Sequence, residues 1–205
     1  GKIQLFCADS IDGESLLAGN ETPRRRAEMQ EKYFLYLTTE LAPHILALTA
    51  DEPKAEADEK AAKAASTPVL WCAGVDTGAY QAVNCRLRRP ELFAGAIGLS
   101  GLYDMSRFMG SEADDLILRN SPLNALAETG IYNTAALAKA EENSLLLCAG
   151  QGAYEDDARA DTKALQAALE AAALPCHVEL WGNDVSHDWY WWGKELGMFV
   201  QRIFG

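Results

Sequence analysis

Short runs of apolar residues alternate along the chain with longer amphipathic stretches. Five runs of four or five mostly apolar residues are the strand candidates: Ile3–Cys7, Val69–Cys72, Gly95–Leu99, Leu145–Cys148 and His177–Trp181. The first four are almost continuously apolar, as is typical of strands buried on both faces of a parallel sheet. Glycine or small polar residues follow each run, which indicates that each strand ends in a loop.

The stretches between these runs have the spacing of helices. Helices are predicted over residues 24–48, 78–88, 158–173 and 191–204, and Pro43 predicts a kink in the first of them. Strands that alternate with helices predict an α/β fold. We expect a doubly wound, mostly parallel sheet of about five strands with helices on both faces.

We expect residues 1–205 to form a single α/β domain, because no composition shift marks a boundary. Residues 51–66 are the exception within it, since this stretch is charged and alanine-rich and has no large apolar residue. Such a composition is typical of a solvated helix or a loop, and it predicts a surface excursion.

Composition narrows the function classes. The chain has 205 residues, of which 49% are hydrophobic and 23% charged, as in an ordinary globular domain. The formal net charge of −12 disfavours nucleic acids and anionic membrane surfaces as partners. No apolar run approaches the roughly 20 residues of a membrane-spanning helix, and no signal peptide is recognisable. These features predict a cytoplasmic protein.

Cysteine and histidine give no sign of a disulfide framework or a metal site. The five cysteines are odd in number and lack a C-x-x-C pair, and the three histidines lack H-x-x-x-H spacing. Cys7, Cys72 and Cys148 lie in the apolar runs, so we expect small buried side chains in a reducing compartment. We expect no cofactor and no metal, and a small-molecule ester or related ligand as partner. Self-association is left open.

One stretch carries a recognisable motif. Residues 74–78 read GVDTG, between a predicted strand and a predicted helix. This is the layout of the G-x-S-x-G nucleophile elbow, with Asp76 in the place of serine. Glu155 and Asp156 follow the fourth predicted strand, and His187 follows the fifth. Nucleophile, acid and histidine in that order are typical of α/β-hydrolases, in which the acid orients the histidine and the histidine moves a proton.

The chain resembles the esterase group of the α/β-hydrolase superfamily that is related to esterase D and S-formylglutathione hydrolase. This resemblance implies an α/β-hydrolase fold and carboxyl-ester hydrolysis as the ancestral activity. It places the nucleophile at Asp76, the acid at Glu155 with Asp156 as the fallback, the base at His187, and one oxyanion-binding N–H at Thr77. The matching stretches are IQLFCADSIDGESL, GVDTGAYQAVNCRLRRPELFAGAIGLSGLYD, NSPL, CAGQGAYEDD and ELWGNDVSHDWYWWGKEL.

Two departures from that group bear on activity. The group has serine where this chain has Asp76. Its members also carry further strands before the segment that begins at Ile3, including the loop that supplies the second oxyanion donor. We therefore expect a chain that lacks this upstream part and is an impaired or inactive ester hydrolase.

Other hypotheses for the role of Asp76 stay open at this point. A carboxylate that attacks a carboxylic ester would form a high-energy anhydride, but a carboxylate can attack an alkyl carbon, as in haloalkane dehalogenases and epoxide hydrolases. Trp189, Trp191 and Trp192 could then bind a leaving halide, although packing of the last helix on the sheet is the favoured explanation for them. A non-catalytic binding or scaffold protein on the same fold is the remaining alternative. Ser100 lacks an elbow and is expected to be structural.

Overall fold

The computed structural model describes residues 3–50, 69–110, 114–128, 131–139 and 144–205. The predicted excursion at residues 51–66 lies outside these residues. Within them, four parallel strands form one sheet in the order β1-β2-β3-β4. The strands are β1 (Leu70–Val75), β2 (Phe93–Leu99), β3 (Leu145–Ala149) and β4 (His177–Leu180).

Helices connect the strands and confirm the α/β class. They are α1 (Pro23–Tyr36), α2 (Ala42–Ala50), α3 (Thr77–Arg88), α4 (Ser106–Met109), α5 (Asp115–Arg119), α6 (Pro122–Ala125), α7 (Thr134–Leu137), α8 (Asp156–Ala171) and α9 (Trp189–Phe204). The predicted stretches 78–88, 158–173 and 191–204 correspond to α3, α8 and α9, with ends that differ by a few residues, whereas the stretch 24–48 spans α1 and α2. None of the described helices is both long and apolar enough to cross a membrane.

Alternate residues of the central strands build two cores on opposite faces of the sheet. On one face, Ala96 of β2 and Leu147 of β3 pack with apolar residues of α3 and α8. On the other face, Ile97 and Cys148 pack with Trp192 and other residues of α9. The helices therefore lie on both faces of the sheet, as the sequence predicts.

The prediction of a first strand at Ile3–Cys7 is wrong. Ile3–Cys7 has no regular secondary structure and no strand partner among the described residues, so the sheet described here has four strands rather than five. Leu5 is 78% exposed, and Cys7 is exposed rather than buried as expected. The apolar pattern shows that these residues are hydrophobic, but a strand also needs a neighbouring strand that pairs with its backbone N–H and C=O groups.

The long first helix is divided at the predicted kink. Thr22 caps α1 by accepting a hydrogen bond from Arg25 N, and Pro23 occupies the first turn, where its missing N–H costs nothing. A π-helical turn over Leu37–Leu41 separates α1 from α2. It lies just before Pro43, whose ring and missing N–H cannot be accommodated in a regular α-helix, so the extra residue of the π turn relieves the conflict.

Candidate functional site

The candidate site begins at the turn between β1 and α3. Asp76 has φ 51° and ψ −121°, a conformation that a non-glycine residue adopts only under strain. Its N–H donates to Leu99 O at 3.0 Å, and its carbonyl accepts from Ala79 N at 3.0 Å. These bonds hold the strained residue between strand and helix. The turn therefore has the geometry expected of a nucleophile elbow, with a carboxylate at its apex.

Glu155 lies in the loop after β3 and is 1% exposed. Its Oε1 accepts a hydrogen bond from Ser100 Oγ at 2.7 Å, and its Oε2 accepts one from Gly150 N at 3.2 Å. Two donors satisfy a carboxylate that burial would otherwise destabilise. The side chain is thus fixed in one orientation.

His187 lies in the loop after β4 and meets this carboxylate. Its Nδ1 lies 3.2 Å from Glu155 Oε1, which forms an ion pair when the imidazole is protonated. Its backbone N–H donates to Ala153 O at 3.0 Å, which ties the loop of the histidine to the loop of the acid. The imidazole also packs edge-on against the Trp192 ring at a centroid distance of 4.7 Å. Because Nδ1 faces Glu155, Nε2 is the ring nitrogen left for chemistry.

Charges at the site influence one another. Hydrogen bonding to Glu155 is the largest effect on His187 and raises its pKa; burial lowers it, and the charges of Glu155, Asp76 and Asp188 raise it further. For Asp76, burial is the largest effect and raises the pKa, while the charge of His187 and a hydrogen bond from the Thr77 N–H lower it. The carboxylate at the elbow and the imidazole therefore stabilise each other's charged forms.

Thr77 and Asp12 form the other wall of the elbow. Thr77 Oγ1 donates to Asp12 Oδ2 at 2.8 Å, and the negative charge of Asp12 adds to the effects that raise the pKa of Asp76. The Thr77 N–H, which the sequence predicts as an oxyanion donor, lowers the pKa of the Asp76 carboxyl group.

The fallback acid Asp156 does not join the cluster. Its side chain is 87% exposed, and its Oδ1 lies 2.7 Å from Arg159 Nη2 in an ion pair on the surface of α8. Asp188, next to the histidine, caps α9 by accepting hydrogen bonds from Tyr190 N and Trp191 N. The structure thus brings Asp76, Thr77, Glu155 and His187 together and leaves Asp156 outside.

Two supporting residues went unrecognised in the sequence. Trp192 Nε1 donates to Ser100 Oγ at 3.0 Å, and Ser100 in turn donates to Glu155. Ser100 has φ 49° and is buried at the end of β2, so it supports the acid and offers no exposed nucleophile. Its position at a strand end was the one available signal. Its partners Glu155 and Trp192 lie 55 and 92 residues away along the chain, where no local pattern could reveal them.

The remaining histidines lie elsewhere. His44 is exposed on α2, and His177 Nε2 lies 2.9 Å from Glu179 Oε1 on β4. Within the part of the chain that the structure describes, no three His, Cys, Asp or Glu side chains are grouped so that they could hold a metal ion.

Comparisons with known proteins bear on the fold. No protein-family model and no curated protein matches this chain. Among solved structures, a ferulic acid esterase aligns with a TM-score of 0.54 and 20% identity, over 84% of this chain and 61% of that one. MPT51 of Mycobacterium tuberculosis aligns with a TM-score of 0.57 and 15% identity, over 84% and 67%. An S-formylglutathione hydrolase from Agrobacterium tumefaciens gives 0.51 and 14%, over 84% and 57%.

These identities are low, so the alignments establish the fold alone. The chain has an α/β-hydrolase fold, as its resemblance to the esterase group implied, and its structural neighbours include esterases. It spans about six-tenths of the length of the ferulic acid esterase structure.

Proposed function

We propose that this chain carries an esterase-type hydrolase site in which Asp76 replaces the nucleophilic serine and leaves ester hydrolysis impaired or lost. The observation that carries the proposal is the pairing of an intact elbow with an intact acid–histidine pair. Asp76 keeps the strained φ of 51°, and His187 Nδ1 lies 3.2 Å from Glu155 Oε1. Strain of this kind persists where the surrounding structure enforces it, which is typical of functional sites.

The first reason for impairment is chemical. Serine attacks an ester carbonyl as an alkoxide and forms an acyl ester, which water then hydrolyses. A carboxylate at Asp76 that attacked the same carbon would form an anhydride, which is higher in energy than the ester. The carboxylate is also a weak nucleophile towards an acyl carbon, so turnover of carboxylic esters is expected to be very slow.

The second reason is electrostatic. A histidine acts as a general base only when its imidazole is neutral. Glu155 raises the pKa of His187, and the charge of Asp76 adds to that rise. A serine would bring no charge to the elbow. Replacement of Asp76 by serine is therefore expected to lower the pKa of His187 and to free more of the neutral base at neutral pH.

The third reason concerns the oxyanion. Acyl transfer needs N–H donors directed at the developing negative oxygen, and loss of one donor costs about 10²–10³ in rate. The Thr77 N–H acts on the Asp76 carboxylate and lowers its pKa. The native carboxylate therefore competes with a substrate oxyanion for this donor.

The decisive experiment restores the serine. Asp76→Ser should gain turnover of a short-chain aryl ester such as p-nitrophenyl acetate, and it should become labelled at residue 76 by a fluorophosphonate. Both gains should vanish in the double variant Asp76→Ser/His187→Ala. Asp76→Ala is the matched control, because it removes the same charge without supplying a nucleophile. A folded Asp76→Ser protein that shows neither turnover nor labelling would overturn the proposal and favour a binding or scaffold role.

A second candidate function follows from the same elbow. Asp76 has the backbone geometry of a nucleophile, so alkyl-carbon attack, which forms an alkyl ester and releases a leaving group, is chemically open to it. Trp192 is a poor candidate for binding a leaving halide, since its indole N–H donates to Ser100. Incubation of His187→Ala with an alkyl bromide or an epoxide should trap the ester on Asp76, visible by mass spectrometry. Absence of an adduct would exclude this function for those reagents.

A further inference from the structure

A second buried carboxyl group lies behind the candidate site. Glu195 belongs to α9, one turn after Trp192 and one turn before Phe199, so the three share a helix face. Trp192 and Phe199 belong to the apolar core on that side of the sheet. Glu195 is 0% exposed, and neither of its carboxyl oxygens accepts a conventional hydrogen bond. A buried carboxylate without donors is among the costliest states a side chain can adopt.

The groups around Glu195 do not neutralise a charge on it. The groups whose hydrogen bonding or charge acts on Glu195 are Cys148 of β3, Glu155 in the loop after β3, Glu179 of β4 and His187 in the loop after β4. Two of these four neighbours are carboxylates.

Arg202, two turns after Glu195 on α9, is already paired. It donates to Glu179 Oε1 at 2.6 Å, and Glu179 Oε2 accepts from the Trp181 indole. Glu179 Oε1 also lies 2.9 Å from His177 Nε2. Among the groups that act most strongly on Glu195, His187 is the cation, and it also lies beside Glu155.

We propose that Glu195 is a positioning residue of the candidate site: its buried carboxyl group holds a proton near the His187–Glu155 pair, and it strengthens the hold of His187 on its own proton when it ionises. The proposal rests on the proposed function only in taking His187 as the histidine of the site. It adds to the site one further proton, held by Glu195, besides those of Asp76, Glu155 and His187.

The two protonation states have opposite consequences. With Glu195 neutral, Glu155 is the buried anion beside His187, and the imidazole releases its proton more readily. With Glu195 ionised, a second negative charge acts on the ring and the imidazolium is favoured. A neutral Glu195 therefore supports general-base chemistry at His187, whereas an ionised one opposes it.

The balance falls within the range of pH that cells maintain. Burial is the largest effect and raises the pKa of Glu195; repulsion by Glu155 and Glu179 raises it further, while the Cys148 thiol and the charge of His187 lower it, and the result is about 7. The influence of His187 on Glu195 is reciprocal, because each charge changes the proton binding of the other by the same free energy.

The closing experiment follows His187 by NMR from pH 5 to pH 9. His187→Ala assigns its imidazole signal among the three histidines of the chain. In Glu195→Gln the midpoint of the His187 titration should shift to lower pH. The titration curve of His187 should also become a single step, because no second group titrates with it. Glu170→Gln is the matched control, since it removes the same charge from an exposed position on α8 and should leave His187 unchanged. An identical His187 curve in wild type and Glu195→Gln would overturn the proposal.

A second measurement detects the proton itself. Infrared spectroscopy should show the C=O band of a buried protonated carboxyl at pH 6, fading as the pH rises through about 7. Cys148→Ala removes the thiol that lowers the pKa of Glu195, so the band should persist to higher pH in that variant. Absence of a protonated-carboxyl band at pH 6 would overturn the proposal. Neither measurement requires turnover, so a failure here is distinguishable from a failure of the proposed hydrolase site.

Discussion

Gly74 lies so close to Gly78 that a Cβ atom on Gly74 would come within 2.1 Å of the Gly78 carbonyl oxygen. This contact joins the end of β1 to the first turn of α3 and leaves Asp76 at the apex between them. The same construction on Gly78 meets nothing within 4 Å. The first glycine of the GVDTG motif is therefore required by close backbone packing, whereas the second is not.

The two glycines should respond differently to alanine. Gly74→Ala forces backbone atoms apart, so we expect a loss of about 1–3 kcal/mol in the free energy of unfolding, as in other overpacked sites. Gly78→Ala should be neutral or stabilising by up to about 1 kcal/mol, because alanine favours a helix. Urea unfolding of both variants measures this. Equal stability of the two would contradict the close packing of the elbow.

The elbow also shows what sequence could predict. The motif predicted Asp76, Glu155 and His187 as candidate site residues because each follows a strand, and parallel strands bring their carboxyl ends to one edge of the sheet. A contact such as Trp192 Nε1 with Ser100 Oγ has no such signal, since it joins residues 92 positions apart through side-chain packing. The layout of the site could therefore be predicted, but its supporting hydrogen bonds could not.

The N-terminal run shows the opposite outcome. Ile3–Cys7 has the apolar composition of a strand, yet these residues lie exposed without a strand partner. Hydrophobic periodicity reports what a segment could bury, whereas pairing depends on which other segment lies beside it. Glu195 went unremarked in the sequence, although its spacing from Trp192 and Phe199 places it on the core face of α9.

Ser100→Ala tests the support of the acid. The change removes a donor to Glu155 and leaves the buried Trp192 indole N–H without its acceptor, so we expect a loss of about 1–3 kcal/mol in the free energy of unfolding. In the Asp76→Ser background it should also abolish most of the restored esterase turnover, because Glu155 is no longer held against His187.

A double-mutant cycle separates this bond from general damage. Trp192→Phe removes the N–H while keeping a ring beside His187, and its effect should be far from additive with Ser100→Ala. Trp191→Phe is the matched control, since Trp191 Nε1 has no part in the Ser100 bond, and its effect should be additive. Additive behaviour of Trp192→Phe as well would argue that the hydrogen bond contributes nothing.

Glu31 should stabilise the fold on the acid side. Arg88 donates to both of its carboxylate oxygens, at 2.7 and 2.9 Å, and lies over the Phe34 ring at 3.5 Å. Burial is the largest effect and would raise the pKa of Glu31, but the hydrogen bonds and charge of Arg88, with smaller effects of Asn120 and Arg119, outweigh it and lower the pKa below its ordinary 4.5. The stabilisation is therefore fully present above pH 4.5 and is lost as the pH falls through the lowered value.

Glu31→Gln should lose about 1.5–3 kcal/mol at pH 7 and should show a flatter acid limb in unfolding measured from pH 3 to pH 7. Glu28→Gln is the matched control on the same helix, because Glu28 pairs with Arg24 and Arg25 at the exposed surface. That change should cost no more than about 1 kcal/mol. A comparable loss in both variants would show that burial of the Arg88 pair adds no stability.

Glu195 should also make the free energy of unfolding depend on pH, but with the opposite sign and between pH 4.5 and about 7. Its pKa is raised in the fold from 4.5 to about 7, so the folded protein binds a proton that the unfolded chain releases. The contribution of the Glu195 proton to stability is fully present below pH 4.5 and is lost as the pH rises through about 7. A pKa shift of this size corresponds to about 3 kcal/mol.

In Glu195→Gln this decline between pH 5 and pH 8 should largely disappear from the free energy of unfolding. The raised pKa of His187 gives a decline of the same sign that begins at its ordinary value of 6.5, so a residual slope above that pH is expected to remain. His187→Gln should remove the residual slope and leave the earlier one. Identical slopes below pH 6.5 in wild type and Glu195→Gln would show that Glu195 carries no proton in the folded chain.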